Sequence, residues 1–145
     1  MSAAKKLLES LYFEVIPMTG FEEKLDVLKA GDRVGITCSP KQGLQVTLDT
    51  VAKLSNRGFS LTPHLAARQV MNKQHLRDIV SQLTDSGITS VFVPGGDLDE
   101  PMGEYDSSAA VLRDLAEMEH PFTRIGVASY PEGHPAISDD LLFEA

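Results

Sequence analysis

"NKQHLRDIVSQLTDSGITSVFVPGGD", residues 72–97, contains one complete change of period. Asn72 is suited to cap a helix, and behind it Leu76, Ile79, Val80 and Leu83 fall at i, i+3, i+4 and i+7. That spacing draws a single apolar stripe along a helix. Gly87 then offers the left-handed step on which helices end. Residues 88–94, dominated by Ile, Val and Phe, follow without a charge and read as a buried strand. Two glycines and Asp97 come directly after it.

On either side of this stretch the same unit recurs. The strand-like runs are "YFEVIP" (12–17), "RVGITCS" (33–39), "FSLTPHL" (59–65) and "RIGVAS" (124–129). Between them, Leu44, Leu48, Val51 and Leu54 form a stripe ahead of Gly58. Val111, Leu112, Leu115 and Met118 form another before Pro121, and Phe21, Leu25 and Leu28 a shorter one before Gly31. Strand and helix alternating in this way predict parallel strands joined by right-handed crossovers. Two architectures satisfy the pattern, an open doubly wound sheet and part of a (β/α)₈ barrel. The glycine fingerprint of a dinucleotide fold is missing after the first strand, where "IPMTGFEEK" stands instead.

The chain of 145 residues suits one domain and carries 13 Lys and Arg against 21 Asp and Glu, a formal charge of −8. An acidic balance argues against a general nucleic-acid surface. Cys38 is the single cysteine, so an intrachain disulfide is excluded and a reducing, cytoplasmic setting is expected. No run approaches the roughly 20 apolar residues of a membrane helix, and the start lacks a signal-peptide core. The four histidines show no metal-ligand spacing, and no serine sits in a G-x-S-x-G elbow, so neither a metal site nor a hydrolase is expected.

The polar residues are placed informatively. Glu14, Thr37, His64, Asp97, Tyr130 and His134 fall toward the C-terminal ends of the five strands, the functional face of parallel α/β proteins. Glu14 lies inside an apolar run; it reads either as a buried general acid or as a glutamate paired with a helix N-terminus or a lysine. His64 reads as a donor to a ligand oxygen or as a partner for backbone. "PGGD" (94–97) permits close backbone approach but lacks the Lys and Ser/Thr of a phosphate-binding loop. "DLDEPMGEYDSS" (97–108) reads as a solvated acidic loop or as a lid.

"FEVIP" (13–17), "VGITCSP" (34–40), "TPHLAAR" (62–68), "VFVPGGD" (91–97), "GEYDSS" (103–108) and "IGVASYPEGHP" (125–135) follow one another as in the 5,10-methylenetetrahydrofolate reductase family, which the chain resembles from about residue 11 onward. "PHL" and "YPEGHP" are the most specific pieces. The resemblance implies a (β/α)₈ barrel of which residues 1–145 are the first five units. It implies reduction of methylenetetrahydrofolate to 5-methyltetrahydrofolate with NADH or NADPH at a rim that holds FAD. Position by position, Glu14 matches the acid that protonates the folate and opens its five-membered ring to an iminium. Asp97 matches the carboxylate beside flavin and folate. Thr37, His64, Gly96, Tyr105, Ala128, Tyr130 and His134 match cofactor-contacting positions.

Two departures accompany the resemblance. Pro94-Gly95-Gly96-Asp97 stands where the family has Leu-Arg-Gly-Asp, so Gly95 replaces an arginine near the cofactor. Direct hydride transfer without flavin therefore stays open. The family also has about eight βα units against five here, which leaves a fragment or a homo-oligomeric assembly as explanations and predicts open edges on the first and fifth strands. Little activity is expected of five units alone. The remaining alternatives are a tetrahydrofolate-dependent methyltransferase and a non-catalytic folate- or nucleotide-binding module.

Overall fold

The computed structural model describes residues 3–143. Five four-residue strands carry the fold: β1 (Tyr12–Val15), β2 (Arg33–Ile36), β3 (Ser60–Pro63), β4 (Ser90–Val93) and β5 (Arg124–Val127). Each lies inside one of the expected apolar runs. The helices are α1 (Ala3–Glu9), α2 (Phe21–Lys24), α3 (Leu44–Leu54), α4 (Lys73–Asp85), α5 (Ser108–Ala116) and α6 (Asp139–Leu142). None of them is long and apolar enough to cross a membrane.

All strand pairs are parallel. β1, β2 and β3 form one ladder and β4 and β5 another. The two ladders meet where Leu65 donates its N–H to the Phe92 carbonyl at 2.8 Å and His64 bridges to Phe92. Spatial order therefore follows chain order. This removes the reversal on which a doubly wound sheet depends and leaves the helices of a singly wound sheet on one face. Among the described residues, β1 and β5 each pair on one side only.

On the three inner strands the helix-facing Val34, Ile36, Leu61, Val91 and Val93 are all buried, and they join Leu48, Val51 and Leu54 of α3 and Leu76, Ile79 and Leu83 of α4 in one core, whereas Ile125 and Val127 of the edge strand β5 are exposed. Burial of each such side chain contributes about 1.5–3 kcal/mol, and that gain is the physical reason for the regular apolar stripes. The cap of α4 is as expected: Asn72 Oδ1 accepts the His75 N–H at 2.9 Å. His75 reciprocates, its Nδ1 taking the Met71 N–H at 3.0 Å. Gly87, at φ 71°, follows the last turn, where Ile88 donates to the Leu83 carbonyl.

The 97–108 segment is anchored by a buried arginine. Arg68, 3 % exposed, sends Nε to the Leu98 carbonyl at 2.8 Å, Nη2 to Asp99 at 2.6 Å and Nη1 to Asp106 at 3.0 Å. Both ends of the acidic loop are thus held by one guanidinium. Between them, Met102 and Glu104 donate their N–H groups to the carbonyls of Arg68 and Met71. The loop is thus fixed at both ends and stitched in the middle.

A second junction ties α4 to α5. Tyr105 donates to Asp114 Oδ2 at 2.6 Å, while Lys73 reaches Asp114 Oδ1 at 2.9 Å and Glu117 at 2.6 Å. The Tyr105 hydrogen bond, with Lys73 adding to it, holds the Asp114 carboxyl below its ordinary value of 3.8. A depressed carboxyl stabilises the fold above its unfolded value and loses that contribution as pH falls through its folded value. Asp114→Asn is therefore expected to lose about 1 kcal/mol at neutral pH, no more because the carboxylate is part-exposed and screened. In urea titrations the gap between variant and wild type should close below about pH 4; a gap independent of pH would refute the linkage.

Candidate functional site

The strand face opposite the helices is polar and carries a recess. β-strand alternation sends Tyr12 and Glu14, Arg33 and Gly35, Thr62 and then His64, Ser90 and Phe92, and Arg124 and Gly126 to that side. Together, Tyr12, Glu14, Arg33, Thr62, His64, Ser90, Phe92 and Arg124 line a recess of about 230 Å³. Glu14 is exposed rather than buried, because β1 is an edge of its sheet; the expectation of a buried acid is not met, and the carboxylate stands on the recess rim in contact with solvent. It takes part in none of the described ion pairs, so no lysine among the described residues pairs with it.

His64 is 8 % exposed and packs tilted against Phe92, ring centroids 4.8 Å apart at 57°. Its main-chain N–H goes to Ile36 and its Nε2 lies 3.5 Å from the Tyr12 hydroxyl. Burial pulls its pKa below 6.5, and the charge of Glu14 opposes the shift without cancelling it. At neutral pH the recess thus holds a neutral imidazole beside a carboxyl group. Thr62 and Ser90 hydrogen-bond to each other across the recess floor at 3.2 Å.

The other expected site residues are placed differently. Thr37 donates its hydroxyl to the Val15 carbonyl at 3.1 Å, which fastens β2 to β1. Tyr105 is 4 % exposed in the core, its hydroxyl on Asp114 and its pKa raised by burial and by that carboxylate. Tyr130 accepts the Gly95 N–H at 3.1 Å and meets the His134 ring edge-on at 4.9 Å. His134 Nδ1 accepts the Ala136 N–H at 3.1 Å. Ala128 and Tyr130 line a separate recess of about 580 Å³, with Asp139 and Phe143 at its mouth. Gly96, at φ 95°, turns the chain so that Asp97 is exposed beyond both recesses. The structure therefore brings Glu14 and His64 together and keeps Tyr105 away from them.

The space around Gly95 is tightly filled. A Cβ at Gly95 would lie 2.3 Å from Cδ1 of Ile137, a residue 5 % exposed. The chain after β5 folds back and fills the place that a longer side chain would need. Flavin adenine dinucleotide requires donors or cations for its diphosphate. Among the described residues the Gly95 N–H is already bonded to Tyr130, and the Arg68 guanidinium is bonded to three carbonyls. Neither of these two groups is free to hold a diphosphate.

Sequence reading did not single out Tyr12, Arg33, Thr62, Ser90, Phe92 or Arg124. Period-two spacing from Glu14 and His64 is the signal that points to Tyr12 and Thr62. Nothing in the sequence marks Arg68 as a loop clamp.

No protein-family profile matches the chain. Over 78 residues it is 37 % identical to a 5,10-methylenetetrahydrofolate reductase of Pectobacterium carotovorum subsp. carotovorum, a match covering 54 % of this chain and 26 % of that protein. The chain thus matches about a quarter of the relative's length.

Proposed function

We propose that the chain is the N-terminal portion of a larger (β/α)₈ barrel that reduces 5,10-methylenetetrahydrofolate with a nicotinamide donor. The observation that carries this reading is the meeting of Glu14 and His64 in one recess beside Phe92. Sequential parallel strands, the open sides of β1 and β5 and the similarity to a folate reductase support it.

The substrate's one-carbon bridge joins two nitrogens and accepts hydride only as a cation. Glu14 donates its proton to one of these nitrogens; that carbon–nitrogen bond breaks, and the carbon remains on the other nitrogen as an iminium. Hydride from NADH or NADPH adds to the iminium carbon and yields the methyl group, with the nicotinamide leaving oxidised. Glu14 is left as carboxylate and regains its proton from solvent. His64, neutral, supplies a hydrogen bond to the bound ligand, and Phe92 offers an apolar face for a flat ring. Gly95, with Ile137 packed against it, favours direct transfer without a flavin.

The test is nicotinamide oxidation by the protein in its natural full length, with methylenetetrahydrofolate present and absent. Folate-dependent oxidation by protein whose visible spectrum lacks flavin bands is the expected result. Methyl transfer without nicotinamide consumption, or no turnover in any assay, would defeat the reading. Flavin bands in active protein would defeat the direct-transfer part of it.

A further inference from the structure

Tyr12 is separated from His64 by a whole strand, yet the two side chains meet. The reason lies in Gly35 of β2, which pairs with Glu14 in the ladder. A Cβ on Gly35 would sit 2.2 Å from the Tyr12 hydroxyl and 2.7 Å from Cζ. Only glycine lets the phenol ring lie across β2 and deliver its hydroxyl to β3. The Arg33 guanidinium rests 5.4 Å from the centre of that ring. At the far end the hydroxyl lies 3.5 Å from His64 Nε2 and also touches Thr62.

We infer that Tyr12 is a positioning residue: through the slot at Gly35 it donates to His64 Nε2 and fixes the imidazole as the Nδ1–H tautomer, leaving Nδ1–H to bind an acceptor atom of the ligand. This rests on the reading of the Glu14–His64 recess as the reductase site, and it names the acceptor by class, a carbonyl oxygen or ring nitrogen of a flat heterocycle. Burial and the nearby Glu14 raise the phenol's pKa, so its proton stays in place at neutral pH, while burial keeps His64 unprotonated. A neutral imidazole that accepts at one nitrogen must carry its hydrogen on the other. The charged groups facing this contact are Glu14 of β1, Arg33 of β2 and Arg124 of β5. His64 Nδ1 has no hydrogen-bond partner among the described residues.

The test is nitrogen NMR of selectively labelled histidine in the full-length protein, for wild type, Tyr12→Phe and Gly35→Ala. Wild type should show His64 protonated at Nδ1. Tyr12→Phe keeps the ring across Gly35 but removes the donor, and His64 should move toward the Nε2–H form that free imidazole prefers. Gly35→Ala, which closes the slot, should give the same change. In the reductase assay Tyr12→Phe should lower kcat/KM about fivefold to tenfold, the effect of one lost hydrogen bond. A His64 tautomer unchanged in both variants would overturn the inference. The NMR result stands whether or not folate is the substrate, so the two readings fail separately.

Discussion

Glu14→Gln is expected to reduce folate-dependent nicotinamide oxidation about 10²- to 10⁴-fold, the usual contribution of a positioned proton donor. Glutamine keeps the shape and polarity of the side chain and removes only its transferable proton. Since Glu14 is exposed on the recess rim, in no described ion pair and outside the apolar core, the fold should survive the change. The fall should therefore appear in kcat, with substrate affinity little altered. A second signature follows from electrostatics. The charge of Glu14 opposes the burial that depresses the His64 pKa, so Glu14→Gln should depress that pKa further. Histidine titration by NMR reads this directly. Wild-type turnover in Glu14→Gln would end the assignment of Glu14 as the acid.

The largest stability effect is expected at Arg68. Its guanidinium makes three hydrogen bonds to the carbonyls of Leu98, Asp99 and Asp106 from a nearly inaccessible position. Arg68→Ala removes charge-assisted bonds and leaves carbonyls without donors, a loss of about 3–5 kcal/mol. For a chain of this size that corresponds to a melting point lower by roughly 10–15 °C. Arg68→Lys should restore little, because one ammonium cannot reproduce the forked geometry. Limited proteolysis locates the damage: cleavage should rise first within residues 98–106. A melting point within about 2 °C of wild type, with the loop still resistant, would mean that the clamp is dispensable.

Much of the architecture is legible in the sequence because it depends on short-range periodicity. The stripe Leu76, Ile79, Val80 and Leu83 can be buried only on a helix, and all four are buried on α4. Strands too are recognisable, since Val34 with Ile36 and Val91 with Val93 put β-branched side chains on one face. What periodicity does not choose is strand order, because doubly wound and sequential sheets use the same local unit. The Leu65 to Phe92 hydrogen bond, which sets β3 beside β4, joins the two ladders and completes that order.

The site divides along the same line. Glu14 and His64 are identifiable as polar residues in apolar runs, and the structure seats them in one recess. Tyr105 carries the same kind of signal and goes to the core, where Asp114 on α5 takes its hydroxyl. Nothing local distinguishes a tyrosine that faces a ligand from one that caps a helix pair. Local sequence is enough for the elements, their parallel sense and the residues whose chemistry is available, since helix and strand periods and backbone sterics act within a few neighbours. Which of those residues meet is a matter of tertiary packing. The Tyr12 to His64 contact spans 52 residues and depends on an absent side chain at Gly35; the loop clamp depends on carbonyls 30 to 38 residues from Arg68. Such contacts arise from strands brought side by side and loops folded back, which no local pattern records.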